Sequence, residues 1–310
     1  MKIAYIFPGQ GSQYVGMAKE FIENHKESKE VFEIAGDALG SDLVRLCTNG
    51  PAEELNLTKN TQPAILTASI AILEPLVRRG LNAAAAAGHS LGEYTAITAA
   101  GGFKFKDAVT LVWKRGKYMQ ETVPVGAGLM AAILGLERQD VEKTCHEAAK
   151  NGIVAPANYN SPGQIVIAGE KRAVEIAMDL AKTMGAKKVV PLTVSVPSHC
   201  AMMKKAGDLL ARDLESVTIN DLSIPIVNNA DAKFLQKASD LRPSLIRQIS
   251  SPLHWEDSIK NMTAHGIDTF IEIGPGKVLS SLVKRITKDA KVLNVEDLNS
   301  MKDTLNALGV

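Results

Sequence analysis

The chain has 310 residues, 45% of them hydrophobic and 22% charged, enough to bury a substantial core in one large domain or two smaller ones. A net charge of +1 gives no global attraction for nucleic acid or an anionic membrane, so an acidic partner has to meet a local basic patch. Cys47, Cys145 and Cys200 show neither metal-ligand spacing nor an even-numbered disulfide framework, and they read as reduced thiols of a soluble cytoplasmic protein.

Residues 2–7 predict a strand, too short for a secretory signal, ended by Pro8-Gly9-Gln10-Gly11-Ser12-Gln13. Helical patterns follow over residues 17–25, 30–39 and 62–79. The longest apolar stretch, residues 64–73, includes Thr67 and Ser69 and falls short of a membrane span. The alanine run 83–87 predicts a buried strand, although five alanines also suit a helix start. Residues 106–122 form an amphipathic helix with Ala108, Leu111, Val112 and Arg115 at helical intervals.

The pattern changes at Val125-Gly126-Ala127-Gly128. Residues 129–136 read as a strand, 140–150 as a helix and 153–158 as a strand. The turn Ser161-Pro162-Gly163 leads into a strand over 164–168, a helix over 171–184 and a last strand over 186–194. This β-α-β-β-α-β order is ferredoxin-like. It predicts a small subdomain, residues 125–196, inserted into a larger unit made of residues 1–124 and 197–310. Beyond it, a helix over 201–214, strands over 223–228 and 267–273, and a helix over 278–287 resume the alternation. The whole predicts an α/β fold with a mostly parallel sheet covered by helices.

The pentapeptide Gly88-His89-Ser90-Leu91-Gly92 lies between a strand and a helix, the context of a nucleophile elbow. Gly88 and Gly92 leave room for the sharp turn, Ser90 is the nucleophile, and the Leu91 N–H at the helix start faces a developing oxyanion. Gln10, in the loop after the first strand, is placed to supply a second N–H. That loop lacks the Lys-Ser/Thr ending of a phosphate loop. The usual order of serine hydrolases favours His254 or His265 as base, with an acid such as Asp231, while His199 sits in a strand-end loop where open α/β sheets place their sites. The pattern leaves these choices open. His89 adjoins the nucleophile with its side chain turned away, in a hydrogen-bonding role. Arg115, on the apolar side of its helix, is costly to bury without an anion, and its fork suits a carboxylate. The plainer reading is an arginine that snorkels or pairs with an internal Glu.

Together these residues resemble the malonyl-CoA:acyl carrier protein transacylases of type II fatty acid synthesis. The resemblance runs over the whole chain. It is carried by Phe7-Pro8-Gly9-Gln10-Gly11-Ser12-Gln13, by Gly88-His89-Ser90-Leu91-Gly92-Glu93-Tyr94 and by Arg115-Gly116. Asn160-Ser161-Pro162-Gly163-Gln164, Ser195-Val196-Pro197-Ser198-His199-Cys200, Val227-Asn228-Asn229 and Glu272-Ile273-Gly274-Pro275-Gly276-Lys277 complete it. It implies a large α/β-hydrolase-like subdomain with a ferredoxin-like insert. It also implies a Ser90–His199 dyad with the Gln248 backbone carbonyl orienting the histidine, an oxyanion hole from Gln10 and Leu91, and a malonyl carboxylate on Arg115. It further implies a monomer that uses no cofactor and no metal, with malonyl-CoA and an acidic acyl carrier protein as partners. The pairs Lys187-Lys188, Lys204-Lys205 and Lys284-Arg285 are candidates for docking that carrier. The competing readings are a serine thioesterase or esterase on the same elbow, and an inactive scaffold of the same fold.

Overall fold

The computed structural model describes residues 1–192 and 196–310. Six strands form the first sheet: β1 (Ile3–Phe7), β2 (Ala85–Gly88), β7 (Ile226–Val227), β8 (Phe234–Leu235), β9 (Thr269–Ile273) and β10 (Lys291–Val295). Their order is β10-β9-β1-β2-β7-β8, and all neighbours are parallel except β7 and β8. The strands β1, β2 and β9 are buried throughout, as apolar runs without polar alternation must be when helices cover both faces.

The alanine run resolves as a strand because of where it lies. Between β1 and β7, Ala85 and Ala87 join Ala4, Ile6, Trp255 and Phe270 on one face, while Ala86 joins Tyr5, Phe7 and Leu91 on the other. Burial on both faces overrides the poor strand propensity of alanine.

The second sheet comprises β3 (Gly128–Leu134), β4 (Val154–Ser161), β5 (Gln164–Glu170) and β6 (Lys188–Pro191), in the order β4-β5-β3-β6, all antiparallel. With the helices Arg138–Ala148 and Lys171–Thr183 this is the ferredoxin-like arrangement. The strand expected over 186–194 is seen as β6. Its last two expected residues, and Ser195 of the histidine motif, lie outside the described residues. Period-two alternation turns Ala131 and Ile133 toward the two helices, where they join a core of their own. Met130, Ala157, Val166 and Ala168 turn the other way, onto Cys200. The outer edge of β4 is not left bare. Tyr159 N–H donates to the Leu253 carbonyl at 2.9 Å, and Leu253 N–H donates to the Ala157 carbonyl at 2.8 Å.

Elements absent from the sequence reading include the helices Leu43–Asn49, Ala238–Gln248, Trp255–Ala264 and Leu298–Leu308, together with β10. Pro243 interrupts the pattern of Ala238–Gln248, yet buried Leu241, Leu245 and Gln248 hold that helix in place. Among the described residues no helix is long and apolar enough to cross a membrane.

Candidate active site

The site is built at the C-terminal ends of β1, β2 and β7. Ser90 stands between β2 and the helix Leu91–Ala99 at φ 53° and ψ −105°, a strained conformation for a residue with a side chain. The glycines around it are compulsory: a Cβ on Gly88 would lie 1.9 Å from the Gly92 backbone, and one on Gly92 would lie 2.1 Å from the Phe7 carbonyl. Three hydrogen bonds hold the strained turn. Ser90 N–H donates to Asn229 Oδ1 at 2.8 Å, Asn229 Nδ2 donates to the Gly88 carbonyl at 2.7 Å, and Gln248 Nε2 donates to the Ser90 carbonyl at 2.8 Å.

His199 meets Ser90. Its Nε2 lies 2.8 Å from Ser90 Oγ, and its Nδ1 lies 2.9 Å from the Gln248 carbonyl oxygen. A carbonyl only accepts, so Nδ1 carries the proton and Nε2 is left to accept from the serine hydroxyl. Burial, and after it the Arg115 cation, push the imidazole pKa down to about 3. The other histidines lie elsewhere. His254 stacks on Tyr159 with its Nδ1 3.1 Å from Asp257, and His265 packs edge-on against Phe234 with its Nδ1 2.8 Å from the Asn261 carbonyl. Asp231 is engaged by Arg247 and Asn228. His89 turns its Nε2 to Asn160 Oδ1 at 2.9 Å.

Arg115 is 1% exposed, so the snorkelling alternative does not describe it. It donates through Nη1 to Gln62 Oε1 at 2.8 Å, and through Nη2 to Gln248 Oε1 at 3.0 Å and Ser90 Oγ at 3.2 Å. Its guanidinium also lies over the Tyr94 ring, 5.2 Å from the centroid. Every hydrogen-bond acceptor is neutral, and Nε has no hydrogen-bond partner among the described residues. A buried cation whose hydrogen bonds go only to amides and a hydroxyl has no direct anionic partner, although the buried Glu93 carboxylate acts on it through space. Burial accordingly lowers its pKa from the ordinary value.

The cleft is lined by Gln10, Leu91, Met119, Met130 and Asn158 around these groups. The Gln10 side chain anchors its loop by donating to Thr58 Oγ1 at 3.2 Å. Among the described residues the Gln10 backbone N–H has no acceptor, and that of Leu91, at the first helical position, has none within its helix. Two free donors, a serine–imidazole pair and a fixed guanidinium therefore converge on one volume. The sequence reading passed over Gln62 and the positions of Asn229 and Glu93 in this network. Gln62 carried a usable signal, an amide directly before the long apolar run of its helix.

The acyl transferase domain family matches residues 4–304. The chain is 50% identical over 296 residues to the malonyl CoA-acyl carrier protein transacylase of Escherichia coli (strain K12), covering 94% of this chain and 96% of that protein. It is 46% identical over 308 residues to the protein of that name from Bacillus subtilis (strain 168), covering 99% and 97%. Among solved structures it is similar to an acyl carrier protein S-malonyltransferase from Vibrio cholerae, with a TM-score of 0.96 and 47% identity over 98% of this chain and 100% of that one. A malonyl-transacylase solved in complex with its type II PKS acyl-carrier protein gives a TM-score of 0.97 and 46% identity over 99% and 100%. Matched at this identity over nearly its full length, the chain belongs to the malonyl CoA-acyl carrier protein transacylase family of acyltransferases.

Proposed function

We propose that this chain moves the malonyl group of malonyl-CoA to the phosphopantetheine thiol of an acyl carrier protein through a malonyl ester on Ser90. The observation that carries this reading is Arg115, a buried cation with no anionic hydrogen-bond partner that donates to the nucleophile's own oxygen. An acyl group ending in a carboxylate fills that vacancy. Acetyl leaves it open, at a cost of several kcal/mol in a dry pocket.

His199 Nε2 takes the Ser90 proton as Oγ attacks the thioester carbonyl. The Gln248 carbonyl holds Nδ1–H and so fixes the tautomer. The tetrahedral oxyanion is received by the Gln10 and Leu91 N–H groups, each such donor being worth roughly 10²–10³ in rate. Expulsion of CoA as its thiol returns the proton, and the carrier thiol repeats the sequence in reverse. The malonyl carboxylate has a second effect. By neutralising Arg115 it removes a charge that depresses the His199 pKa, so the correct substrate strengthens its own base.

A hydrophobic core made wholly of residues 131–181 supports a division into a catalytic subdomain, residues 1–124 and 197–310, and a small subdomain, residues 125–196. Free, buried Cys47, Cys145 and Cys200 support a cytoplasmic setting. The activated thioester supplies the driving force for transfer, so no cofactor enters. A thioesterase on the same elbow has no use for the guanidinium, which weighs against hydrolysis.

Intact-mass spectrometry after mixing with malonyl-CoA tests the reading. A malonyl adduct is expected that disappears on adding holo acyl carrier protein, is absent in Ser90→Ala and is much weaker with acetyl-CoA. Rapid loss of the adduct to water, without acyl-carrier product, overturns transfer in favour of hydrolysis.

A further inference from the structure

Glu93 lies three residues past the nucleophile and is fully buried. One carboxylate oxygen, Oε2, accepts from Asn229 N–H at 2.9 Å and from Gln248 Nε2 at 3.0 Å. These two residues strap the Ser90 backbone, and Gln248 also holds Arg115 through its side chain and His199 through its carbonyl. The other oxygen, Oε1, is buried with no partner among the described residues. We propose that Glu93 is a positioning residue that links the nucleophile strap to the guanidinium, and that it takes up a proton at Oε1 when a malonyl carboxylate occupies Arg115. This rests on the reading of Arg115 given above.

The charges require such a response. Without substrate, the dry volume holds one cation, Arg115, and one buried carboxylate, Glu93. A malonyl carboxylate adds a second anion to the same cation, and two carboxylates sharing one site cannot both stay ionised cheaply. The other charged or titratable groups around Glu93 do not relieve it. Asp231, beyond β7, adds negative charge but is paired with Arg247, Tyr94 on the same helix is a neutral phenol, and His199 is neutral. Burial already pushes the Glu93 pKa up to about 7, against the pull of its two hydrogen-bond donors and of Arg115. The proton comes from water and goes to Oε1, while Oε2 keeps both hydrogen bonds. It returns to water when the malonyl group leaves on the carrier thiol.

The test is proton uptake on acylation of the wild-type protein at about pH 8, read with an indicator dye in dilute buffer and normalised to adduct by intact mass. Malonyl-CoA is expected to draw nearly one proton per adduct more than acetyl-CoA, because acetyl brings no charge. Ionisation of the released CoA thiol is common to both donors and cancels. Glu93→Gln keeps an acceptor for Asn229 and Gln248 but has no titratable group. Its adducts should show no extra uptake, and its malonyl-adduct yield should be flat where the wild-type equilibrium falls up to tenfold per pH unit above about 7. Equal uptake for the two donors in the wild type, or the same extra uptake in Glu93→Gln, overturns the inference. Arg115→Ala separates the two readings. If it keeps the wild-type preference for malonyl, the Arg115 assignment falls; if it loses that preference while the wild type takes up no proton, only the role of Glu93 falls.

Discussion

On the side of the cleft built by the parallel sheet, Ser90, Asn229, Gln248, Glu93, Arg115 and Gln62 are joined by hydrogen bonds into one buried network. On the facing side, the antiparallel sheet presents the apolar Met130, Ala157, Val166 and Ala168, packed on Cys200, with Asn158 as its polar group in the cleft lining. Among the described residues, its hydrogen bond to the elbow is Asn160 on His89. The first side is over-determined, and removing one member leaves buried groups unpaired. The second is held by shape, and its methionine adapts to what it touches. On the proposed function, chemistry belongs to the parallel sheet and accommodation of the substrate to the antiparallel one. Substitutions should grade accordingly.

The largest effects are expected at the dyad. Ser90→Ala should abolish the acyl adduct, and His199→Ala should slow its formation by about 10²–10⁴-fold, as loss of a positioned general base does. Rapid-quench mass spectrometry reads both. If His199→Ala acylates at the wild-type rate while a change at His254 does not, the base has been placed in the wrong loop.

Arg115→Ala should follow, with the malonyl rate reduced about 100-fold or more and the acetyl rate little changed, so that the ratio of the two collapses. Competition of the two thioesters for one enzyme sample measures this directly. An unchanged ratio means that the buried cation serves only the fold.

Asn229→Ala removes the strap from a strained turn. It leaves the Ser90 N–H and the Gly88 carbonyl without partners, each costing about 1–3 kcal/mol. Urea unfolding should show that loss, and acylation should slow about tenfold as Ser90 relaxes from its left-handed conformation. A stable variant of normal rate would show that the glycine contacts alone hold the elbow.

These residues also mark how far the sequence was legible. Gly88 and Gly92 were readable because only glycine satisfies two backbone contacts below 2.2 Å, and that requirement is local. The order of the ferredoxin-like insert was readable from turn chemistry and period. The choice of His199 over His254 and His265 was not, because it depends on which imidazole the folded chain carries to Ser90 and on a main-chain carbonyl at Gln248 that any residue would supply. Asn229 and Glu93 stood inside quoted motifs, but their work is to bond each other across 136 positions of chain, which no spacing rule reports.

A smaller effect is expected from pH. The folded His199 pKa of about 3 lies below the unfolded value near 6.5, so between these limits the unfolded chain binds more protons than the folded one. Stability contributed by neutral His199 is present above about 6.5 and is lost as pH falls toward 3. Urea midpoints across that window should therefore fall less steeply in His199→Gln than in the wild type. The acid limb of the acylation rate should also lie well below pH 6.5, since the base stays unprotonated there.

The smallest effect should come from the wall. Met130 is buried, lines the same cleft as Arg115 and, among the described residues, makes no side-chain hydrogen bond. Met130→Leu conserves volume and leaves no polar atom unpaired, so it should cost less than about 1.5 kcal/mol of stability and change malonyl transfer by less than about threefold. Met130→Phe should instead crowd the acyl group, raising KM while kcat changes little, because the dyad and its straps are untouched. A Met130→Leu variant that loses as much rate as Asn229→Ala would show that the apolar wall positions the reacting atoms too, and the division of labour between the two sheets would then fail where they meet.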